Sequence, residues 1–377
     1  MAVQPKTKPS LGEVDFARAP FIAFWEITRA CQLSCRHCRA RAQRQRNPLE
    51  LTTEEGLGLI DQVKDMGCPL LVLTGGDPMM RPDLPQFIEH AISRDLRVSL
   101  APSATPLLTR QALETIRQAG MARISVSVDG STAGPHDAFR GTKGAFQRAM
   151  EIINDAQAVG LSFQINTTVS RYNRDDLDNL AAMVRGFGVT MWDLFFLVPT
   201  GRGKAEDMLS PQEHEDVFNW VYDLSRNVPF DIKTTAAQHY RRIMLQRTEG
   251  GMPSGPGFLA GRHGAPGDGM ERAPKGVNDG NGVVFISHVG DVCPSGFLPL
   301  AAGNIRRQPL AQVYRESPIF TEVRDTSKLK GKCGRCEYNR VCGGSRARAY
   351  ALTGDYLEAE PCCIYQPQGQ ARPGSPA

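Results

Sequence analysis

The stretch FIAFWEITRACQLSCRHCRA, residues 21–40, decides how the chain is read. Its first seven residues, FIAFWEI, form an apolar run rich in aromatic and β-branched side chains, the pattern of a buried strand. Directly behind it Cys31, Cys35 and Cys38 place three thiols within eight residues, on the loop that must leave the strand end. A loop that short can wrap one small inorganic cluster. Three ligands on a four-iron cluster leave one iron open for chemistry, whereas a closed structural site is fully ligated. The alternatives are a zinc loop or incidental core cysteines. Zinc wants four protein ligands in paired motifs, and His37 is the one further donor at short spacing.

Outward from this stretch, apolar β-rich runs alternate with amphipathic segments of helical period, the pattern of βα units around a parallel sheet. The runs fall at 21–27, 70–74, 97–101, 123–128, 162–169 and 191–198, which makes six. Thr53, Asp83 and Thr142 precede helical segments as caps, and Gly67, Gly120 and Gly160 close them. Six βα units are too few for a closed eight-stranded barrel, so the expected fold is α/β, a partial (β/α)6 TIM-type barrel. Its chemistry is expected at the C-terminal strand ends. Residues 1–20 read as an N-terminal extension and 21–246 as the barrel. Residues 247–281, dense in Gly and Pro, read as a linker or lid, and 367–377 as a disordered tail. A second small unit is expected over 282–366, opening with the hairpin VVFISHVGDV and ending in a cysteine-rich segment.

The net charge of +4, from 44 basic and 40 acidic residues, is too small and dispersed to imply nucleic acid as a partner. No run of 18 apolar residues suggests a membrane span, and no apolar stretch follows the basic start, so a cytoplasmic protein is expected. Ten cysteines in such a chain point to metal rather than disulfides.

Cys31, Cys35 and Cys38, spaced by three and two residues after the first strand, resemble the defining motif of the radical S-adenosylmethionine (radical SAM) superfamily. The resemblance implies a 4Fe-4S cluster whose open iron chelates S-adenosylmethionine (SAM). One electron then cleaves the sulfonium to a 5′-deoxyadenosyl radical, which abstracts hydrogen from substrate. A low-potential donor such as flavodoxin or ferredoxin would supply the electron. His37 stands where the family often has an aromatic residue close to adenine. Gly75, Gly76, Asp77 and Pro78 resemble the family's glycine-rich motif, whose backbone carbonyls receive the SAM amino group; glycine leaves that backbone exposed. Ser103, Ser127 and Asn166, at later strand ends, are further cofactor candidates. So is Arg140, whose guanidinium suits the methionine carboxylate.

Near the other end, Cys333, Cys336 and Cys342, with Cys363 further on, resemble the auxiliary-cluster portion of SPASM or twitch domains. The family ending of acid, proline, any residue and cysteine selects Cys363 over Cys362. The resemblance implies a second 4Fe-4S cluster; a zinc knuckle is the alternative reading of the same four residues. Ser295 and Ser345 stand where a full SPASM domain has cysteines, and Cys293 is off register, so one auxiliary cluster is expected.

CGGSRARAYALTGD (342–355) most resembles enzymes of alternative haem pathways that remove or decarboxylate tetrapyrrole propionates. Arg202, Lys233, His239, Tyr240, Arg241, Arg346 and Arg348 are then candidate partners for substrate carboxylates. The rival is a peptide-modifying maturase, and only about 20 residues precede the first strand, too few for a leader-binding domain. A zinc-binding scaffold is the non-enzymatic reading.

Overall fold

A computed structural model describes residues 15–248 and 276–368. Most of the expected tail and most of the expected linker lie outside these residues.

Ten strands form one sheet: β1 (Ile22–Thr28), β2 (Leu70–Gly75), β3 (Arg97–Leu100), β4 (Arg123–Ser127), β5 (Phe163–Val169), β6 (Met191–Phe196), β7 (Asp231–Thr235), β8 (Val283–Ile286), β9 (Asp291–Cys293) and β10 (Gly303–Asn304). Their order is β10-β9-β8-β1-β2-β3-β4-β5-β6-β7. Strands β1 to β7 pair in parallel succession. The barrel thus keeps its partial, open architecture and gains β7, which six apolar runs did not announce. Its sequence, DIKTT, is polar because only Asp231 is buried and the rest is half-buried.

The hairpin expected at the start of a second unit forms, as β8 and β9 in antiparallel pairing. Strand β8 also pairs parallel with β1, from Ile22 opposite Val283 to Trp25 opposite Ile286, so the later segment is hydrogen-bonded into the barrel sheet.

Alternation along each strand decides what faces where. Ala23, Trp25 and Ile27 of β1, Leu71 and Leu73 of β2, and Phe163, Ile165 and Val169 of β5 enter the core shared with the helices. The residues between them, Phe24, Val72, Gln164, Asn166 and Thr168, line a central cavity. Phe195 of β6 lines this cavity too.

The helix Thr53–Asp65 starts with a capping box in which Thr52 and Glu55 bond each other's backbone amides. In the helix Ala145–Val159 the expected cap Thr142 is superseded. Asp137, one helix earlier, accepts from the amides of Gly144 at 2.6 Å and Phe146 at 2.8 Å.

Gly56 lies where Thr53–Asp65 crosses β1, and a Cβ there would sit 2.5 Å from Trp25 and 2.6 Å from Phe87. Gly56→Ala in an open helix would stabilise by ~1 kcal/mol. Here the overpacking reverses the sign, and urea unfolding is expected to show a loss of ~1–3 kcal/mol.

Candidate active site

The cysteine loop runs irregularly from β1 to the first helix and is closed at its base by a bridge between Ala30 and Gln43. Cys31, Cys35 and Cys38 line one wall of the cavity, whose volume is about 980 Å³. Main-chain amides already point at the sulfurs: Leu33 N–H donates to Cys31 Sγ at 3.3 Å and Ala42 N–H to Cys38 Sγ at 3.4 Å. Arg140 approaches Cys35 Sγ at 3.9 Å. Such donors stabilise thiolate, the form that binds iron.

Three neighbouring segments press on the loop's backbone. Gly76 donates to the carbonyl of Thr28 at 2.8 Å and Asp77 to that of Ala30 at 2.7 Å. A Cβ on Gly76 would lie 2.5 Å from Ala30 O. After β6, Arg202 N–H donates to Cys38 O at 3.0 Å. Gly201, at φ +64°, would place a Cβ 2.3 Å from the carbonyl oxygens of both Cys38 and Arg39. On the third side Arg36 N–H donates to Phe139 O at 3.0 Å. The glycines of the GGDP turn therefore serve close packing on the cysteine loop as well as backbone exposure.

The other candidates divide. Gly75, Ser103, Ser127, Asn166, Arg140, Arg202 and Tyr240 line the cavity with the cysteines. Ser103 Oγ donates to Gly76 O at 2.8 Å and lies 3.4 Å from Cys31 Sγ. His37 also lines the cavity and stacks on Phe139 with ring centroids 4.0 Å apart and planes 13° from parallel. Burial and the nearby Arg140 guanidinium push its imidazole down to about 3, so it is neutral. Tyr240 opens the helix Tyr240–Arg247, and burial pushes its phenol up to about 12, keeping it a donor.

Other residues expected at the cofactor or substrate turn away. Asp77 is buried, accepting from Met79 and Ser103 amides at 3.1 and 3.3 Å and from Thr105 Oγ1 at 2.7 Å. Its carboxylate ties the ends of β2 and β3 together. Pro78, itself buried, starts the turn Pro78–Met80 behind it. Arg140 is committed to Asp129 at 2.6 Å, so it is not free for a ligand carboxylate. Burial raises Asp129, but the Arg140 guanidinium outweighs it and holds the acid below the usual range. His239 is enclosed by Phe218 and His214. Arg346 is buried with Nη1 on the carbonyls of Tyr356 and Glu358, at 2.9 and 2.7 Å. Arg348 is likewise interior, spanning Glu360 and three carbonyls: Phe196 O at 3.3 Å, Leu197 O at 3.4 Å and Ala236 O at 2.8 Å. Lys233 lines the cavity but is held by Asp193 at 2.7 Å.

Arg140, Arg346 and Arg348 each have a single guanidinium nitrogen buried without a partner. Arg202, beside Cys38 on the cavity lining, has both Nε and Nη2 in that state and no carboxylate or carbonyl on its guanidinium among the described residues.

Glu26 was missed from sequence. It is a fully buried carboxylate bonded by Arg39 and Arg29, each at 3.0 Å, and by His288 at 3.0 Å. Burial pushes it up, yet Arg39 first, then the bond from His288 and the charge of Arg29, hold it at about 2. Through Arg39 it anchors the loop just past Cys38. A carboxylate inside an apolar strand run was the available signal.

In the second cysteine group Cys333 and Cys363 both bear electrostatically on Cys336 and on Cys342. Cys362 instead packs with Leu197 and Met208. Amides of Glu360 and Gly344 donate at 3.3 Å to Cys333 Sγ and Cys342 Sγ. As a free thiol Cys342 is pushed by burial up to about 12, so loading a metal there releases a proton. Ser295 Oγ bonds Asp279 and accepts the amides of Phe297 and Leu298, while Ser345 caps the helix Arg346–Thr353. Both serines therefore do structural work.

Among the described residues no group of three or more Cys, His, Asp or Glu side chains converges on a single ion. A polynuclear cluster, whose ligands bind different irons, needs no such convergence. Three thiols sharing a cavity wall, with amides donating to two of them, fit such a group.

Residues 25–184 match the model of the radical SAM superfamily. The chain is 42% identical over 354 residues to an AdoMet-dependent heme synthase of Methanosarcina barkeri, covering 94% of this chain and 99% of that one. It is 42% identical over 347 residues to an AdoMet-dependent heme synthase of Nitratidesulfovibrio vulgaris, covering 91% and 92%. Among solved structures, Streptococcus suis SuiB bound to precursor peptide SuiA shares the fold, with a TM-score of 0.68, 14% identity, and coverage of 92% of this chain and 76% of that one. With 42% identity held across nearly the full length of both chains, the chain belongs to the radical SAM superfamily, on the side resembling the alternative haem pathway, and is an enzyme.

Proposed function

We propose that this enzyme cleaves SAM reductively and uses the radical to abstract hydrogen from a propionate side chain of a tetrapyrrole in haem biosynthesis. Cys31, Cys35 and Cys38 hold the catalytic 4Fe-4S cluster in this reading, and Cys333, Cys336, Cys342 and Cys363 an auxiliary one. Held there and reduced by one electron, such a cluster would supply the reductive cleavage of bound SAM that hydrogen abstraction from the substrate carbon requires.

The chain's own residues orient and bind. His37, planar and neutral on Phe139, offers a stacking face for adenine. Ser103, Ser127 and Asn166 offer polar contacts along the strand ends, and Gly75 and Gly76 exposed backbone. The observation that carries the substrate assignment is Arg202, a half-buried arginine two of whose guanidinium nitrogens are buried without a partner, on the lining of a cavity that apolar Phe21, Phe24 and Val72 also line. A flat apolar ligand bearing carboxylates meets both demands, because a buried cation is stable only when paired. The cavity lies at the upper end of the ~300–1,000 Å³ usual for ligand sites, room for cofactor and a large substrate. The similarity to AdoMet-dependent heme synthases supports the same reading.

Anaerobically reconstituted protein is expected to hold about eight irons per chain and to form 5′-deoxyadenosine with SAM and reductant. Cys31→Ala, Cys35→Ala or Cys38→Ala each abolishes that product. Cys333→Ala drops iron to about four per chain and still permits cleavage uncoupled from substrate. A colourless zinc protein, or no 5′-deoxyadenosine from an intact reduced cluster, would overturn the reading. Product formation from a precursor peptide but not from a propionate-bearing tetrapyrrole would overturn the substrate.

A further inference from the structure

Between Glu26 and Glu50 the chain carries six arginines and no carboxylate, in a protein whose net charge is only +4. Three are neutralised: Arg29 and Arg39 by Glu26, and Arg46 by Glu50 at 2.7 Å. The other three, Arg36, Arg41 and Arg44, are exposed. Their guanidinium groups bond only neutral acceptors: Tyr172 Oη at 3.3 Å, Gly201 O at 3.0 Å, and Ser34 Oγ at 3.3 Å together with the carbonyl of Gln32. Their positive charge therefore meets no carboxylate among the described residues.

This charge sits on the outer surface of the loop whose inner surface carries the three cysteines. The separation is small: Arg36 follows Cys35 directly, Arg41 N–H bonds Cys38 O at 3.3 Å, and Ala42 N–H bonds Cys38 Sγ. Tyr172 lies 45% exposed with the Arg36 guanidinium 5.5 Å from its ring centre, although a tyrosine so exposed gains little from burial in this chain alone. Arginine and tyrosine together are the residues that anchor protein interfaces.

We propose that Arg36, Arg41 and Arg44, with Tyr172, form the docking surface for an acidic, low-potential one-electron carrier protein, which delivers its electron through the back of the cysteine loop. The inference rests on Cys31, Cys35 and Cys38 holding the redox cluster. The transfer moves one electron and no atoms: the carrier is oxidised by one electron as the cluster is reduced by one. A patch of like charges is poorly suited to a small neutral reductant but steers an acidic protein into register, which is how weak redox encounters gain speed without large buried area.

The test uses reconstituted holoenzyme and an acidic flavodoxin. Arg36→Glu/Arg44→Glu is compared with wild type, and Arg36→Gln/Arg44→Gln guards against a distorted loop. Flavodoxin binding is titrated at about 20 mM and about 300 mM salt. Salt is expected to weaken wild-type binding about tenfold, and charge reversal to weaken it at least as much and flatten the salt response. The rate of 5′-deoxyadenosine formation driven by reduced flavodoxin at low salt falls about tenfold, while the dithionite-driven rate, read at about 300 mM salt where attraction of that small dianion is screened, stays within about twofold of wild type. Unchanged binding and flavodoxin-driven rate in both variants would overturn the docking surface. Equal losses with both reductants would overturn it as well. Failure of dithionite-driven cleavage in the wild type would instead overturn the cluster assignment, since the binding titration reads the surface without it.

Discussion

Gly201→Ala is expected to purify with about half the iron of the wild type and to form no 5′-deoxyadenosine. The reason is local. A methyl group at this position has to enter the left-handed region, at ~1–2 kcal/mol. It also has to find room where the carbonyl oxygens of Cys38 and Arg39 lie 2.3 Å away. Backbone on both sides cannot yield as a flexible side chain would, so the loop carrying Cys38 is displaced. A metal site tolerates only ~0.5 Å of such movement. Gly76→Ala tests close approach without positive φ, because its Cβ would meet Arg29 and Ala30 carbonyls at 2.6 and 2.5 Å. It is expected to lose the same cluster and keep the auxiliary one. Iron analysis and the spectrum of the remaining cluster check both variants; full iron loading with normal cleavage would contradict the glycine argument.

The second large effect concerns Arg348. It joins Glu360 in the cysteine-rich segment to carbonyls at the ends of β6 and β7, and both side chains are almost fully buried. Arg348→Met leaves a buried carboxylate unpaired and is expected to cost ~3–5 kcal/mol in denaturant unfolding, with loss of the auxiliary iron. Arg348→Met/Glu360→Leu removes both charges and should recover much of that loss, a difference a double-mutant cycle measures. The pair also sets an acid limit. Burial raises Glu360, but Arg348 and His239 outweigh it and hold the acid at about 2 against an ordinary 4.5. Its contribution is therefore complete above pH 4.5 and is lost as pH falls from there toward 2. Glu360→Gln should flatten this part of the stability profile.

Arg348 also shows where sequence reading stops. Its partners at Phe196 and Leu197 lie 152 and 151 residues away. Nothing local distinguishes an arginine that clamps two segments from one that meets a substrate, and the same holds for Arg346 and His239. Features with a local cause were legible: the cysteine loop, the apolar strand runs and the GGDP turn each follow from residues within one loop or strand. Strand β7 escaped because all of its cavity-bordering residues but Ile232 are polar and its partner strand is 40 residues away. Asp77 was misplaced for a related reason, since its motif fixes the turn but not the direction of its side chain. Between Cys362 and Cys363, adjacency left the choice to a family pattern. The packing of Cys362 on Leu197 and Met208 gives a physical reason for the same choice.

The pairing of β8 with β1 has a consequence for biosynthesis. His288, just past β8, bonds Glu26 across 262 residues and Asn47 across 241, so the first strand and the cysteine loop are completed by chain made much later. At ~5–20 residues per second the ribosome needs roughly 15 to 50 s to span that interval. During it the nascent thiols at the amino-terminal end stand without the segment that fixes their scaffold. In the proposed reading, iron–sulfur loading of this loop waits until residues 283–288 have been made, and in air those thiols stand open to oxidation for that delay.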